Sequence, residues 1–508
     1  MGLYDLTFFD LIQRNAQCFG KLPAWYETDD QRRLSFSEIH VRVTDLARGL
    51  QYMGLQKGDR IGVLGKNSLD FFLLLGAAAA VGAIVLPINW RLSAEEIKFN
   101  LNDGAPKLLF VDSEYQPLMD DIHAQLTGLP QRFNLKADGG GYRTFESLCS
   151  PAAEFQQAEV KVDDGFVIIH TAAVAGRPRG ALLSHANLLC ANMQFNYCLG
   201  LTPADVHLNF LPLFHVAGLC MAISSFQAGC LTINMSKFDA HQATELIQRH
   251  QVSCFFEFSP ILSSILDEQK KSAADIGSLR AVMGLDTPET IERYQQLTGG
   301  TFFTMYGQTE TSCLTSMGRY QDRPGAAGRV ISAARMQLVD DYDRPVAAGQ
   351  VGEIAVRGPM VFKGYWNLPQ DNAYAFREGW HHTGDLGRLD EDGFLYYAGR
   401  KSEKELIKPG GENVYPAEVE KVIMQHPAVA QVVVFGVPDP KWKEGIKAVC
   451  RLRAGHQLTA KELISFVGQR IARYKKPQYV EFVEDMPFTA AGGIDREEVK
   501  IRHGGKHP

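Results

Sequence analysis

The chain has 508 residues, which at roughly 150 residues per domain corresponds to three to four folding units. Hydrophobic residues at 45% and charged residues at 22% fit a globular protein and exclude disordered, collagenous and coiled-coil chains. Lys+Arg 52 against Asp+Glu 58 leaves a formal charge of −6, which argues against a nucleic-acid partner held by a general basic field.

The N-terminus carries Asp5 and Asp10 in place of the basic-then-apolar order of a signal peptide. Gly2 is followed by Leu at position 6, where the myristoylation pattern requires Ser or Thr. Ser37 precedes Ile39, Val43, Leu46 and Leu50 at helical spacing. Arg60-Ile-Gly-Val-Leu64 then reads as a strand. Residues 71–88 contain no charged or polar side chain, a run long enough to raise the question of a membrane span. Its internal breaks predict burial instead. Ser68 can cap a helix beginning near Leu69, Gly82 can stop it, and 83–86 reads as a short buried strand before Pro87. Strand, helix, strand of this kind predicts a parallel α/β unit with continuously hydrophobic core strands and no membrane span. Nine cysteines without Cys-x-x-Cys spacing suit reduced thiols and a cytoplasmic protein.

Helix and strand alternate to about residue 300. A strand at 167–169 enters a loop, and a helix is predicted from Ser184 to about Asn196. From about Gly325 short strands separated by Gly turns take over, at 336–339, 352–356 and 393–397, predicting a small β-barrel-like subdomain over about 325–399. The charged stretch 401–405 marks a domain boundary. The remainder mixes a helix at 416–426 with a strand at 430–435.

Four segments carry groups suited to phosphate chemistry. His170-Thr-Ala-Ala-Val-Ala-Gly-Arg-Pro-Arg-Gly180 lies between strand and helix, where backbone N–H groups can face a phosphate. It lacks the Walker pattern and serves as readily as a turn. Tyr306-Gly-Gln-Thr-Glu310 puts a hydroxyl and a carboxylate side by side, suited to a phosphate oxygen and its Mg²⁺ or to a polar surface turn. Trp380-His-His-Thr-Gly-Asp385 offers an Asp for ribose hydroxyls. The adjacent His381 and His382 have poor geometry for one metal, so no zinc site is expected. Lys404-Glu-Leu-Ile-Lys-Pro-Gly-Gly-Glu-Asn-Val-Tyr-Pro416 brings a Gly pair that allows close approach by a ligand or merely a turn.

Taken in order, these segments together with Pro212-Leu-Phe-His215, Gly399-Arg400 and Arg473-Tyr-Lys-Lys-Pro477 resemble the acyl-adenylate-forming superfamily over essentially the whole chain. The acyl-CoA synthetase branch fits best, on Gly-Gly-Glu-Asn-Val-Tyr-Pro416 and Gly436-Val-Pro-Asp-Pro440. The resemblance implies an α/β fold. A large multi-lobed N-terminal domain would span 1–399, with two α/β lobes and the β subdomain. A small mobile α+β C-terminal domain would span 400–508, with a hinge near Glu405, where the family usually has Asp. It implies an ATP-dependent carboxylic acid–CoA ligase that works through acyl-AMP, with ATP, Mg²⁺ and CoA as cofactors. The partners would be small molecules alone, with room for a homodimer.

By matching position, Thr309 would contact the α-phosphate, Glu310 would hold the metal, and His215 would border the acyl pocket. Thr171, Gly176 and Arg179 would line the phosphate loop. Gly284, Tyr306, Gly307 and Gln308 would shape the nucleotide site, although Gly284-Leu-Asp-Thr-Pro288 departs from the usual Gly-Gly-Ala-Pro type. Asp385 and Arg400 would hold the ribose, and Gly410 and Gly411 the pantetheine passage.

Two departures bear on the reaction. The phosphate loop Thr171-Ala-Ala-Val-Ala-Gly176 lacks the family's hydroxyls, at about 1.5–3 kcal/mol for each hydrogen bond lost to a charged phosphate. Gly493 stands where the family has the lysine that bridges carboxylate and α-phosphate. Arg496 or Lys500 could substitute, the first half-reaction could be slow, or the residue could be a changed one. The alternatives to a CoA ligase are therefore an enzyme that loads a carrier protein or amine, and an adenylation-impaired homologue that binds nucleotide or acyl-AMP. The acyl pocket is expected near Val216, Ala217, Leu219, Met221, Phe255, Phe256 and Phe258. These predict an apolar fatty, alicyclic or aromatic acid, with Glu257 turned to solvent by strand alternation.

Overall fold

The computed structural model describes residues 3, 5–136, 141–149, 155–174, 177–401, 406–412, 414–488 and 494–504, with backbone alone at 172–174, 177 and 411. Compactness divides the chain into two units. The first holds residues 1–90, 100–169 and 180–399; the second holds 91–99, 170–179 and 400–508.

The first unit contains the apolar run. The helix Leu69–Val81 is capped by Ser68, whose hydroxyl accepts from the Phe71 N–H at 3.1 Å, and ends at Gly82 with φ +72°. Its thirteen residues are all buried and span about 20 Å, short of the ~30 Å hydrocarbon core of a bilayer. No helix among the described residues is long and apolar enough to cross a membrane. Asp70, inside this helix, is matched by Arg32, whose guanidinium reaches it at 2.6 and 2.8 Å, so the buried charge is paired.

The helix joins Arg60–Leu64 to Ile84–Ile88, which pair in parallel. They occupy the centre of a seven-stranded sheet ordered Gly364–Tyr365, Arg177–Ser184, Gly165–Val174, Ile84–Ile88, Arg60–Leu64, Leu108–Val111, Gln131–Asn134. The second strand runs on through Pro87, and its register with Gly165–Val174 is confined to Val85 opposite Val167, in keeping with a proline that has no N–H to donate. A nine-stranded sheet carries Val206–Asn209, Cys254–Phe258, Ala281–Leu285 and Thr301–Tyr306 in its interior. The strands Arg335–Val339, Val351–Arg357, His381–Leu389 and Leu395–Arg400 form an antiparallel sheet. These four strands follow an open order and do not close into the barrel-like form read from the sequence; four strands are too few for closure.

In the second unit, Val429–Asp439, Lys443–Leu452 and Tyr479–Val483 make a three-stranded sheet against the helices Pro416–Ile423 and Ala460–Gly468. Lys475 is buried there, with its Nζ 2.6 Å from Glu418 Oε2.

Candidate active site

The strand Thr301–Tyr306 delivers Tyr306 to the end of the nine-stranded sheet, and the chain then turns tightly. A Cβ on Gly307 would lie 2.0 Å from the Cys313 carbonyl oxygen, so the approach of backbone to backbone here excludes any side chain. The turn leads into a single 3-10 turn, Thr309–Thr311. Tyr306 Oη donates to Asp385 Oδ2 at 2.8 Å. Gln308 Nε2 donates to the same oxygen and, at 3.1 Å, to the Thr383 carbonyl. Two segments almost eighty residues apart thus converge on one buried carboxylate.

Glu310 is buried, and its Oε1 accepts from the Tyr365 hydroxyl at 2.8 Å. Its Oε2 has no protein hydrogen bond among the described residues, and the same holds for the Thr309 hydroxyl. A carboxylate held at one oxygen and open at the other fits a hard cation. The sequence pointed to Glu310 but not to Tyr365, which is joined to it only by the fold.

Gly284, next to last in Ala281–Leu285, has φ +146°, and a Cβ there would lie 1.9 Å from the Glu257 carbonyl oxygen. The atypical loop after it still starts a helix. Thr287 caps Pro288–Thr298 by accepting the Thr290 N–H at 3.3 Å, and Pro288 sits where its missing N–H costs nothing. His215 caps the helix Val216–Ala228, its Nδ1 accepting from the Ala217 N–H at 3.2 Å, so the ring proton of the neutral form is on Nε2. Asn67, unmarked in the sequence reading, fixes the preceding turn. It accepts from the Leu213 N–H at 2.8 Å and donates to the Leu211 carbonyl at 2.9 Å.

Val216, Ala217, Leu219, Met221, Phe255 and Phe256 are buried, and Phe258 is half-buried with its ring 6.3 Å from that of His215. Glu257 corrects the sequence reading: it is fully buried, not turned to solvent. The strand Cys254–Phe258 pairs in parallel with both neighbours and is buried at four consecutive residues, the pattern of a parallel sheet covered on both faces, so alternation turns neither set of side chains to water.

In the second unit, Thr171 Oγ1 donates to the Arg179 carbonyl at 3.3 Å. Arg400 Nη1 donates to Tyr415 Oη at 3.0 Å. Gly410 has φ +59° in the turn Pro409–Gly411, and a Cβ there would lie 2.8 Å from the Trp442 ring. Gly176, Glu405 and Gly493 lie outside the described residues. The two cations considered as substitutes for a lysine at 493 are both engaged. Arg496 donates to Glu420 Oε1 at 2.7 Å and to the Val434 carbonyl at 3.0 Å, and Lys500 Nζ meets Glu497 Oε1 at 2.9 Å.

Asp343, Glu353 and His382 bring ligand-type atoms within 4.8 Å of one another. Arg377 reaches both carboxylates at 2.9 Å, so the chain itself supplies the positive charge that such a cluster calls for.

Residues 12–366 match the model of the AMP-binding enzyme family, and 418–492 that of the AMP-binding enzyme C-terminal domain. The indoleacetate–CoA ligase of Aromatoleum aromaticum is 32% identical over 478 residues, 92% of this chain and 93% of the relative. The fatty acid–[acyl-carrier-protein] ligase ScoC of Streptomyces coeruleorubidus is 30% identical over 491 residues, 93% and 92% of the two chains. The structure of an o-succinylbenzoate CoA synthetase (MenE) double mutant from Bacillus subtilis, bound to a product analogue, superposes with a TM-score of 0.87 at 26% identity over 99% of both chains. On sequence and fold alike, the chain belongs to the AMP-binding enzyme family, within the acyl-adenylate-forming superfamily that its motifs resemble.

Proposed function

We propose that this chain joins an apolar carboxylic acid to coenzyme A in two steps. The carboxylate attacks the α-phosphorus of ATP, giving acyl-AMP and pyrophosphate. The CoA thiol, losing its proton, then attacks the acyl carbon, and AMP leaves. The observation that carries the reading is the convergence of Tyr306 and Gln308 on buried Asp385, next to a Glu310 tethered at one oxygen only.

Asp385, and by motif Arg400, would accept and donate to the ribose hydroxyls. The Thr309 hydroxyl, uncommitted to the protein, would donate to an α-phosphate oxygen, and backbone N–H groups near Thr171, Gly176 and Arg179 would face the other phosphates. Glu310 would hold Mg²⁺, which when bound offsets charge on the phosphates as the carboxylate approaches. His215, oriented through its Nδ1, would border the acyl group, with the apolar helix Val216–Ala228 behind it. Gly410 and Gly411 would leave room for the pantetheine arm. The body to residue 399 and the domain from 400 would act as two parts that rearrange between the steps, about a hinge near Glu405. The acid is apolar, of fatty, alicyclic or aromatic type; the relatives act, by name, on indoleacetate and on fatty acids. Nine free cysteines suit a cytoplasmic setting.

ScoC favours a second reading, transfer to a carrier-protein thiol. Gly493, with Arg496 and Lys500 engaged elsewhere, favours a third, a nucleotide binder with weak adenylation. The test is carboxylate-dependent AMP release with indole-3-acetate, ferulate, benzoate and dodecanoate, with and without CoA. AMP release that requires CoA supports the ligase. Release that requires a carrier protein instead supports the second reading, and no AMP with any acid sinks both.

A further inference from the structure

The strand His381–Leu389 is irregular at the point where it presents Asp385. Its partner Val351–Arg357 pairs Ala355 with His382 and Glu353 with Leu386, so Ile354 alone faces Thr383, Gly384 and Asp385. Such a bulge re-aims side chains and leaves ladder groups to be satisfied elsewhere. Here the Thr383 hydroxyl donates to the Ile354 carbonyl at 2.7 Å and accepts from the Asp385 N–H at 3.1 Å. The Gly384 N–H, on a residue with φ +70°, is taken by Glu353 Oε1 at 2.9 Å. Glu353 is buried, and its other oxygen lies 2.9 Å from Arg377 Nη2 and 3.4 Å from His382 Nδ1. Arg377 is in turn held by Asp343 at 2.9 and 3.0 Å.

We infer that Glu353 is a positioning residue for nucleotide binding: charged and anchored by Arg377, it fixes the bulge through the Gly384 N–H and so sets the direction of the Asp385 carboxylate toward the ribose. The inference rests on the proposed role of Asp385. One residue out of register would turn that carboxylate off the axis shared with Tyr306 and Gln308. A carboxylate is the suited anchor because it can accept from a backbone N–H at one oxygen and from a guanidinium at the other.

The test is calorimetric binding of AMP, 2′-deoxy-AMP and 3′-deoxy-AMP to the full chain, which needs no turnover. The wild-type protein is expected to prefer AMP by about tenfold or more over an analogue lacking the hydroxyl that Asp385 accepts. Asp385→Ala abolishes that preference. Glu353→Asp keeps the charge facing Arg377 but is too short by one methylene to reach the Gly384 N–H, and loses most of the preference. Glu353→Gln has one acceptor oxygen for two donors, the Gly384 N–H and Arg377, and loses much of the preference as well. A merely structural role would instead lower affinity for AMP and both deoxy analogues alike and leave their ratio at the wild-type value. A preference retained in Glu353→Asp and lost in Asp385→Ala overturns the inference. A preference retained in Asp385→Ala overturns the reading of Asp385 itself.

Discussion

The corner around Asp385, proposed to hold the ribose, and the motif positions proposed to face the phosphates differ sharply in what the sequence provides. Around Asp385 the carboxylates are well provided: Glu353 and Asp343 share Arg377, and Asp385 accepts from the neutral donors Tyr306 and Gln308. At 172–175 the side chains are Ala, Ala, Val and Ala, without a hydroxyl, and position 493 is glycine. The groups proposed to hold a nucleotide are present, while side chains suited to act on the transferring phosphate are sparse at the motif positions proposed for that role. Binding and chemistry are separable in such an enzyme, and only interactions stronger in the transition state accelerate the reaction. The expected phenotype is firm nucleotide binding with slow adenylation.

The largest expected effect comes from restoring a cation. Gly493→Lys should raise acid-dependent pyrophosphate exchange by about a hundredfold, the scale of one preorganised group facing developing charge. An unchanged rate would show that another group already does this work. Restoring hydroxyls is next. Ala172→Ser with Ala175→Thr should lower the KM for pyrophosphate in the reverse reaction by about tenfold for each hydroxyl that reaches a phosphate oxygen. The well-provided side can be broken in turn. Tyr365→Phe removes the hydrogen bond at Glu310 Oε1 and should raise the Mg²⁺ concentration at half-maximal exchange about fivefold to tenfold, with AMP affinity unchanged. A fall in AMP affinity instead would place Glu310 outside metal binding.

One buried carboxyl, Glu27, contributes a pH dependence to the stability of the fold. Burial pushes the Glu27 carboxyl up from 4.5 to about 7, partly opposed by the Asn234 amide at 3.0 Å and the Leu69 N–H at 2.7 Å. With the folded value above the unfolded one, the native state holds the extra proton between pH 4.5 and 7. Stability from this group is therefore full below pH 4.5 and lost as pH rises through about 7, by about 3 kcal/mol in all. Glu27→Gln should flatten that part of the Tm profile. A wild-type Tm that rises steadily from pH 5 to 7.5, unchanged in slope by the substitution, would contradict this.

Local rules read well in the sequence. Ser68 and Gly82 cap and stop their helix within one turn of their own positions, so the apolar run resolved into helix and strand without tertiary information. Tyr306, Glu310 and Asp385 were legible as motif members. Their convergence was not, nor were Tyr365 and Glu353, because hydrogen bonds across 31 to 79 positions leave no spacing to read. Glu257 was misread for the complementary reason: alternation says that faces differ, not that one of them is wet.

The half-reactions test the account most directly when measured apart, with indole-3-acetyl-AMP and CoA in one reaction and indole-3-acetate, ATP and CoA in the other. Thioester formation from the preformed adenylate should be faster by tenfold or more, on the order of the missing phosphate-facing groups, and Gly493→Lys should accelerate only the second reaction. Equal rates in the two reactions, or acceleration of both by the substitution, would contradict it.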